Sequence, residues 1–385
     1  MTPTFEVLKQ VTDLPVKVWV LAPHLEGTDA HIEYYYDFSQ SIAEYEKTFS
    51  ELGIEWCWQP VTLGDYADIL DAIDAEKKAG RIYPLVFNIC DGDEINGTPG
   101  ISVVKGLLER NLLFTGSDEY FYRITTSKIT MKKAFDRSGV STPPWLDLTG
   151  GTLDPAAVFK TLPPPVMVKP SVSGGSMGIG TENVVYDEPQ LLELIGKMRS
   201  GYRNWDLASG GLIAESFITG PEFTVLIVGD YDRPESAKVY TPVQRVFHPS
   251  LPENQQFLSF DRLWEIYEQE TPMPDNGNFY EYERPPEALI ADICRLSWDA
   301  YVSNNGRGYA RIDVRQDKDT GKLYVLEVNA QCGLSEDEDF TSIGAILRIG
   351  GSTYAQLVEQ IIGNAAERHL ATVRTGRRRQ LARKG

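Results

Sequence analysis

Cysteine and histidine are scarce in this chain, which excludes several kinds of site. Four residues of each type occur among the 385. The cysteines, Cys57, Cys90, Cys294 and Cys332, lie far apart in the sequence, so they form neither a zinc-binding spacing nor a dense disulfide framework. We therefore expect a reducing compartment and a functional site built from other side chains.

The chain is also short of positive charge. It has 37 lysines and arginines against 55 aspartates and glutamates, which gives a formal net charge of −18. A charge of this sign and size repels nucleic acid and anionic membrane surfaces. We expect no nucleic-acid partner, and any bound phosphate must be met by local basic side chains.

Long apolar runs are missing as well. No stretch has the length of a membrane span, and the first residues, Met-Thr-Pro-Thr-Phe-Glu, lack a basic segment followed by an apolar one. The composition, with 42% hydrophobic and 24% charged residues, is that of an ordinary globular protein. We expect a cytoplasmic protein of two or three domains with no membrane partner.

The first third of the chain alternates predicted strands and helices. Such alternation predicts a parallel sheet covered by helices, which makes the N-terminal part α/β. A Gly-rich stretch at 91–100 follows the third strand, where loops of such sheets commonly line a ligand crevice. The predicted strands are 16–22, 54–58 and 83–89, and the predicted helices are 32–52, 66–78 and 103–110.

The remainder predicts a mixed α+β arrangement. A small unit combines a helix, an apolar strand, a Gly/Ser loop, a second helix and a second strand. A further region opens with a strand, passes through a long polar and aromatic segment at 246–285, and returns with a helix before its last hairpin. The predicted elements are helices 127–138, 189–198 and 286–303, strands 166–169, 211–215 and 222–228, and the loop 171–180.

The hairpin is the most informative feature of the sequence. Two β-rich runs, 309–314 and 324–329, flank the turn sequence Asp-Thr-Gly at 319–321. If the turn centres on Thr320, residues at equal distances from it face each other, so Asp313 is opposite Glu327. Because side chains alternate along a strand, one face carries Arg311, Asp313, Glu327 and Asn329.

The same alternation directs apolar residues into a core on the other face, namely Ile312, Leu326 and Val328. On the polar face, three oxygen donors beside one arginine suit an Mg²⁺ ion that also holds phosphate oxygens. The alternative is a hairpin with one solvated polar face.

A second pattern predicts a phosphate-binding loop. Lys169 ends an apolar strand, and the residues that follow, 170–180, include Gly175 and Ser176 and little side-chain bulk. Glycines allow backbone N–H groups to approach a polyphosphate. Lys128, on the helix that opens the middle region, could reach a second phosphate group. Glu215 and Glu222 flank a Gly-Pro break, where carboxylates could hold adenine amino and ribose hydroxyl groups.

Taken together, these segments resemble the ATP-grasp superfamily, and most closely its D-alanine:D-alanine ligase branch. The resemblance runs from about Val16 to about Ile362. The order and spacing of its motifs are specific, although each motif is common alone. The motifs are Val-Phe-Asn (86–88), Phe-Thr-Gly-Ser (114–117), Ser-Lys-Ile-Thr-Met-Lys (127–132), Pro-Val-Met-Val-Lys-Pro (165–170), Gly-Pro-Glu-Phe-Thr-Val (220–225), Arg-Ile-Asp-Val (311–314) and Leu-Glu-Val-Asn (326–329).

This resemblance implies an architecture and a reaction. We place an N-terminal α/β domain at 1–122, a central subdomain at 123–214, a C-terminal subdomain at 215–370 and a basic tail at 371–385. The family implies that a carboxylate attacks the γ-phosphate of ATP, and that an amine then attacks the acyl phosphate, which gives an amide, ADP and phosphate. The partners would be a small-molecule carboxylate and an amine, and by analogy the assembly would be a homodimer.

The resemblance also implies a role for each site residue. The implied cofactors are ATP and one or two Mg²⁺ ions, with Mn²⁺ as an alternative. Lys128 and Lys169 would bind phosphates, and Ser176 with the N–H groups near Gly175 would cover the transferred phosphate. The remaining roles are adenine and ribose binding by Glu215, Phe217, Ile218 and Glu222, metal binding by Asp313, Glu327 and Asn329, and oxyanion stabilisation by Arg311.

One departure from the family pattern predicts a different acceptor. Counting from Asn329 places Glu338, in the acidic run 336–339, where the family has a serine that binds the carboxylate of a second D-alanine. Two facing carboxylates repel each other unless one is protonated. We therefore expect a neutral or cationic amine acceptor. The alternatives are a D-alanine:D-alanine ligase, with the acidic run solvated away from the site, and a non-catalytic ATP-binding regulatory protein.

Other departures leave parts of the substrate site open. The family's His-Gly after the third strand is Asp-Gly here at 91–92, and its mobile loop is replaced by a longer segment that contains 260–264. Two residues, Glu26 and Glu33, are candidates for the acidic group that orients the first substrate's ammonium group.

Overall fold

The computed structural model describes residues 3–25, 37–150, 154–337, 339 and 341–382, and its strands form three sheets. The strands are Val16–Pro23 (β1), Glu55–Val61 (β2), Tyr83–Asn88 (β3), Leu113–Phe114 (β4), Trp145–Asp147 (β5), Val166–Pro170 (β6), Val184–Val185 (β7), Leu212–Ser216 (β8), Glu222–Val228 (β9), Lys238–Val239 (β10), Val243–Phe247 (β11), Tyr280–Glu283 (β12), Tyr309–Gln316 (β13) and Leu323–Ala330 (β14).

The helices cover these sheets. They are Pro3–Val11 (α1), Ser39–Leu52 (α2), Tyr66–Ala79 (α3), Ile101–Glu109 (α4), Glu119–Thr126 (α5), Lys128–Ser138 (α6), Pro155–Thr161 (α7), Glu188–Ser200 (α8), Phe260–Leu263 (α9), Glu287–Ser303 (α10), Ser342–Gly350 (α11) and Tyr354–Ala382 (α12), with 3₁₀ turns at Thr181–Asn183, Glu253–Gln255 and Pro274–Asn276. Among the described residues, no helix is both long and apolar enough to cross a bilayer.

The N-terminal sheet is parallel, with strand order β2-β1-β3-β4, which confirms the α/β prediction. Strands β1 and β3 are buried because their apolar residues are covered on both faces. Helix α2 ends at Gly53, whose left-handed φ of 65° suits a helix C-terminus. The helix was predicted from residue 32, but 26–36 lie outside the described residues, and its described part begins at Ser39.

The two other sheets are antiparallel, in agreement with the α+β prediction. The central sheet has the order β5-β8-β6-β7 and packs against α7 and α8. The third sheet has the order β12-β11-β9-β13-β14, with β10 pairing with β9. All seven residues of β9 are buried. Strand β12 lies within the segment 246–285, to which the sequence analysis assigned no element.

The N-terminal sheet and the third sheet share one hydrophobic core. Val18 and Phe87 from the former belong to the same buried cluster as Leu226 and Tyr309 from the latter. Helix α12 contacts α1, α2, β4 and β9, so it joins the two sheets. The predicted limits of the domains stay predictions. Because the two sheets share this core, any crevice between them can lie only outside it.

An electrostatic cluster strengthens the same junction. The fully buried Asp230 carboxylate lies 3.6 Å from Arg307 and 3.7 Å from Arg368, and it also pairs with Arg233. Burial raises the pKa of Asp230, but Arg368 and Arg233 outweigh burial, so the pKa lies below its ordinary value. Arg368 also donates to the carbonyl oxygen of Phe114, at the end of β4. The charges therefore connect α12 to both sheets.

Helix α12 gives the fold a pH-sensitive contact at His369. Its Nε2 lies 3.2 Å from the hydroxyl of Tyr83, where β3 begins. Burial, followed by the charges of Lys77 and Arg368, lowers the pKa of His369 to about 4. The neutral ring is therefore the form that the folded protein prefers.

We expect stability to fall as the pH drops from about 6.5 towards 4, because the unfolded chain then takes up a proton that the folded chain does not. A His369→Gln variant should lose less of its thermal midpoint between pH 7 and pH 5 than the unmodified protein does. Thermal denaturation at the two pH values measures this, with exposed His24→Gln as the control. If the thermal midpoints of His369→Gln and of the unmodified protein fall equally between pH 7 and pH 5, His369 is not the source of the pH dependence.

Candidate active site

The hairpin register agrees with the sequence prediction at the site itself. Asp313 is opposite Glu327, and Arg311 is opposite Asn329. Beyond Asp313 the register shifts, so that Val314 pairs with Val325 and one extra residue of β14 has no partner. This β-bulge makes part of the prediction wrong. Because the bulge changes which side chains face inward, Val325 is fully buried in the core whereas Leu326 is only half-buried.

The acidic face converges on one point. The Nδ2 atom of Asn329 lies 3.0 Å from Asp313 Oδ2 and 3.3 Å from Glu327 Oε1. Thr224 Oγ1 donates to Asp313 Oδ1 at 3.0 Å, which fixes that carboxylate. Burial raises the pKa of Asp313, Arg311 lowers it, and Glu327 raises it, with a net increase. The carboxylates of Asp313 and Glu327 both contact the Asn329 amide, so a cation bound there would reduce the repulsion between them.

The chemistry of this group fits Mg²⁺. Two carboxylates and one amide are oxygen donors of the kind that Mg²⁺ takes. Rotation of the Asn329 side-chain amide by half a turn exchanges its oxygen and nitrogen, so the oxygen can take the place of Nδ2 beside the two carboxylates. Arg311 lies beside the group, with Nη2 3.1 Å from Asp313 Oδ2. The hairpin thus brings all four predicted residues together.

Lys128 connects the hairpin with the Gly/Ser loop. Its Nζ lies 3.5 Å from Glu327 Oε2 and donates to the carbonyl oxygen of Ser173 at 3.4 Å. Its backbone N–H donates to Ser171 O at 2.8 Å. The charge of Lys128, with those of Lys169 and Arg311, outweighs the effect of burial on Glu327 and lowers its pKa. The N-terminus of α6 therefore holds the loop over the acidic face.

The loop has the backbone that its sequence predicts. Gly175 and Ser176 have φ values of 54° and 62°, which lie in the left-handed region. The segment that contains α9 covers this loop. Trp264 Nε1 donates to Gly175 O at 2.9 Å, and Phe260 N donates to Ile179 O at 2.7 Å. The segment noted as a departure from the family pattern thus lies directly on the predicted phosphate loop.

Glu215 is buried between two lysines, one of which the sequence analysis missed. Its Oε1 lies 2.7 Å from Lys169 Nζ, and its Oε2 lies 2.6 Å from Lys132 Nζ. Burial alone would raise the pKa of Glu215, but the two lysines lower it to about 2. Lys132 could have been found, because it lies four residues after Lys128 and therefore on the same side of α6.

Glu222 is buried between two arginines that were also missed. Arg245 of β11 and Arg315 of β13 are its direct cross-strand neighbours on either side of β9. Arg245 forms an ion pair with Glu222, and Arg315 Nη2 lies 3.5 Å from Glu222 Oε2. No local sequence signal reveals this pairing, because it depends on the order of three strands that are not consecutive.

The predicted adenine residues line an apolar wall. Phe217 and Ile218 follow β8, and both are buried. Phe217 clusters with Met167 and Phe257, and the Arg315 guanidinium lies 5.6 Å from the centre of its ring. A flat apolar surface of this kind suits an aromatic base. Met167 and Phe257 are further lining residues that the sequence analysis did not single out.

The whole cluster carries an excess of positive charge in an acidic protein. Six basic side chains form ion pairs with four carboxylates across the site. These are Lys128, Lys132, Lys169, Arg245, Arg311 and Arg315, against Glu215, Glu222, Asp313 and Glu327. A site with surplus cations beside a converging acidic face fits a polyanion together with a divalent metal ion.

Three predicted residues lie outside the described part of the chain, namely Glu26, Glu33 and Glu338. Two other members of the acidic run are described. Glu336 Oε1 lies 2.7 Å from Lys47 Nζ, and Asp337 Oδ2 accepts a hydrogen bond from Gln40 at 3.2 Å. Both carboxylates therefore face α2, where Lys47 balances the charge of Glu336 and Gln40 donates a hydrogen bond to Asp337.

Comparison with known proteins places this site in a family. The sequence model described as "D-ala D-ala ligase C-terminus" matches residues 135–363. The D-alanine--D-alanine ligase of Xanthomonas axonopodis pv. citri (strain 306) is 30% identical over 274 residues, which are 70% of this chain and 76% of that protein. The corresponding enzyme of Polynucleobacter asymbioticus is 29% identical over 260 residues, 66% of this chain and 67% of that protein. The chain belongs to the D-alanine:D-alanine ligase family.

Solved structures support the same fold. The D-alanine--D-alanine ligase of Bacillus anthracis, in a structure with ATP, has a TM-score of 0.61 at 19% identity and covers 93% of this chain and 99% of that one. The enzyme of Coxiella burnetii has a TM-score of 0.63 at 17% identity, with coverage of 95% and 99%. These similarities confirm the ATP-grasp architecture.

Membership of this family decides the predictions of the reaction class, the cofactors and the acceptor. The chain is an ATP-dependent ligase that forms a peptide bond, with ATP and Mg²⁺ as cofactors and small-molecule substrates. The non-catalytic alternative is therefore set aside. The prediction of a neutral or cationic acceptor other than D-alanine is wrong, because the relatives above are D-alanine--D-alanine ligases. Its physical basis also fails for Glu336 and Asp337, because both carboxylates bind side chains of α2, namely Lys47 and Gln40.

The buried position of Glu215 yields a stability prediction. A Glu215→Gln variant leaves the buried Lys132 and the half-buried Lys169 without their counter-ion, which should cost about 3–5 kcal/mol. The matched control is Glu182→Gln, which breaks a solvent-exposed pair with Lys197 at 2.8 Å and should cost at most about 1 kcal/mol. Thermal midpoints of both variants without nucleotide provide the measurement, and equal shifts would be inconsistent with a buried triad.

Proposed function

We propose that this protein joins two D-alanine molecules into D-alanyl-D-alanine, with conversion of ATP to ADP and phosphate. The observation that carries the type of reaction is the hairpin face, where Arg311 lies beside Asp313, Glu327 and Asn329, and the choice of D-alanine rests on the relatives named above. Activation of a carboxylate by ATP needs this combination, because phosphates and a metal ion must be held next to a group that meets a developing oxyanion.

The nucleotide phosphates would lie between the loop and the hairpin. Lys128 contacts both of these elements, and Lys169 is close enough to influence the charge on Glu327. We assign both lysines to the phosphates. The N–H groups near Gly175 and the hydroxyl of Ser176 would cover the transferred phosphate, because a left-handed backbone at both residues can direct successive N–H groups towards one anion.

The base and ribose would bind at the other end of the cluster. Phe217 and Ile218 offer the apolar surface, and Glu215 and Glu222 offer carboxylates to the amino and hydroxyl groups. Each carboxylate is already held by two basic side chains. Since an ionised carboxylate has about four acceptor positions, each can still accept a hydrogen bond from the nucleotide.

Asp313, Glu327 and Asn329 would hold Mg²⁺. The bound ion would neutralise phosphate charge during transfer. Burial lowers the pKa of Arg311, but Asp313 and Glu327 raise it well above its ordinary range, so its guanidinium stays charged. Arg311 can therefore donate to the oxyanion that forms when the amine of the second D-alanine attacks the activated carboxylate.

We also infer a cytoplasmic enzyme, since ATP is available there and the four free cysteines would stay reduced. A homodimer without nucleic-acid partners stays a prediction.

The direct test is to measure ADP release from ATP and Mg²⁺ with D-alanine as the sole amino acid, and to identify the product by mass. We expect release that depends on D-alanine and a product with the mass of D-alanyl-D-alanine. Two kinds of control are used: L-alanine, and analogues of D-alanine that lack the amino group, each tested alone. Absence of the dipeptide, with ADP released for another amino acid or amine, would overturn the assignment of the substrates.

Replacement of Arg311 tests the reaction mechanism. Arg311→Ala should lower kcat by about 10²–10³-fold, because a donor to the oxyanion is lost, while the Kd for ATP changes little. Arg311→Lys keeps the charge and should retain part of the rate. Steady-state kinetics and calorimetric ATP titration separate the two effects. Full turnover in Arg311→Ala, or an equal loss of ATP affinity, would show that Arg311 has another role.

A further inference from the structure

The segment that follows β14 crosses from the reacting centre to the N-terminal domain. Gln331, two residues after Asn329, is buried and has a left-handed φ of 54°. Its side-chain oxygen accepts hydrogen bonds from the N–H and the hydroxyl of Ser117, both at 3.3 Å, and its Nε2 donates to Cys90 O at 2.8 Å. The start of the segment is thus tied to the ends of β3 and β4.

Residues 335–337 then dock on one side of α2. Gln40, Glu44 and Lys47 are four and three residues apart, a spacing that places them in one stripe along a helix. Ser335 Oγ donates to Glu44 Oε1 at 2.6 Å. The two next residues contact the ends of the stripe, since Lys47 Nζ lies 2.7 Å from Glu336 Oε1 and Gln40 Nε2 lies 3.2 Å from Asp337 Oδ2. Three consecutive residues thus meet three positions of one helix stripe.

Helix α11 contacts the backbone of Glu336 and Asp337, whereas α2 contacts the side chains of 335–337. A Cβ added at Gly344 would lie 2.1 Å from Asp337 O, so the segment passes where no side chain fits. The N–H of Thr341 donates to Asp337 O at 3.2 Å, and the Thr341 hydroxyl donates to it at 2.5 Å. Residues 335–337 are therefore clamped between α2 and α11, which is more order than a solvated acidic run would have.

This clamp lies on the side of the site that ATP does not use. The residues assigned above to the nucleotide belong to α6, β6, β8, β9 and the Gly/Ser loop or directly follow β8, and none of them belongs to α2. The clamp instead fixes the N-terminal domain relative to the hairpin that carries Arg311. The amino-acid substrates must bind in the crevice between these two parts, because their reacting carboxylate has to reach Arg311.

We propose that the contact between the Gln40/Glu44/Lys47 stripe and residues 335–337 is a positioning device that sets the affinity for the amino-acid substrates but not for ATP. The proposal rests on the proposed function, since it needs an amino-acid substrate whose binding can be measured. In this role Glu44 and Lys47 are positioning residues, which act through the segment and not on the reacting atoms.

A charge exchange between Lys47 and Glu336 tests the proposal. Lys47→Glu and Glu336→Lys each replace attraction by repulsion, and each should raise the KM for D-alanine by about threefold to tenfold with the KM for ATP unchanged. The double variant restores the opposite charges and should return the KM for D-alanine towards its original value. The pair is exposed enough for all three variants to fold.

The matched control is Lys78→Glu. Lys78 is an exposed lysine of α3 in the same domain, paired with Asp74, so this variant makes the same change in net charge away from the clamp. It should leave both KM values unchanged. The proposal is overturned if Lys47→Glu behaves like Lys78→Glu, if the double variant shows no recovery, or if the KM for ATP rises as much as that for D-alanine.

Amide hydrogen exchange separates failure of this inference from failure of the proposed function. We expect the amides of 331–337 to exchange faster in Lys47→Glu and to regain protection in the double variant, whatever the substrate. Unmodified protein that makes no D-alanyl-D-alanine would refute the proposed function, and with it the claim about substrate affinity. Unchanged exchange in Lys47→Glu would refute the clamp itself, even in an active enzyme.

Discussion

The site depends on two carboxylates that the hairpin forces together. Asp313 and Glu327 are cross-strand neighbours on one face, and both contact the amide of Asn329. Such an arrangement is unfavourable by itself, since like charges held in a buried place repel each other strongly. It persists because Arg311 and Lys128 lie against the two carboxylates. The repulsion that remains is what makes the position favourable for a divalent cation.

The surrounding charges follow from the same constraint. Glu215 and Glu222 do not approach the metal position as free anions, because each is held between two basic side chains. Those lysines and arginines come from α6, β6, β11 and β13, so the central and third sheets must be assembled before the charges balance. An acidic chain thereby builds a local cationic surplus, which can attract a nucleotide electrostatically to this crevice.

Sequence patterns predicted the parts of the site that depend on local periodicity. The pairing of Asp313 with Glu327 follows from alternation and one turn, and the parallel N-terminal sheet follows from repeated strand-helix units. Arg245 and Arg315 could not be predicted in the same way, because their contact with Glu222 depends on strands far apart in sequence. Leu326 was placed wrongly for a related reason, since a bulge shifts the register without a signal in the residues themselves.

The acidic run after β14 shows why charge patterns cannot be interpreted without their surroundings. A run of carboxylates beside a substrate site suggests a cationic substrate only if the carboxylates face that site. In the folded chain, Glu336 and Asp337 meet Lys47 and Gln40, so their charge is used between two parts of the protein. These two carboxylates therefore give no reason to exclude a substrate that carries a carboxylate of its own. The same contacts order the segment that follows the hairpin, because Gln331, directly after β14, is held by Ser117 and Cys90 and residues 335–337 are held by α2.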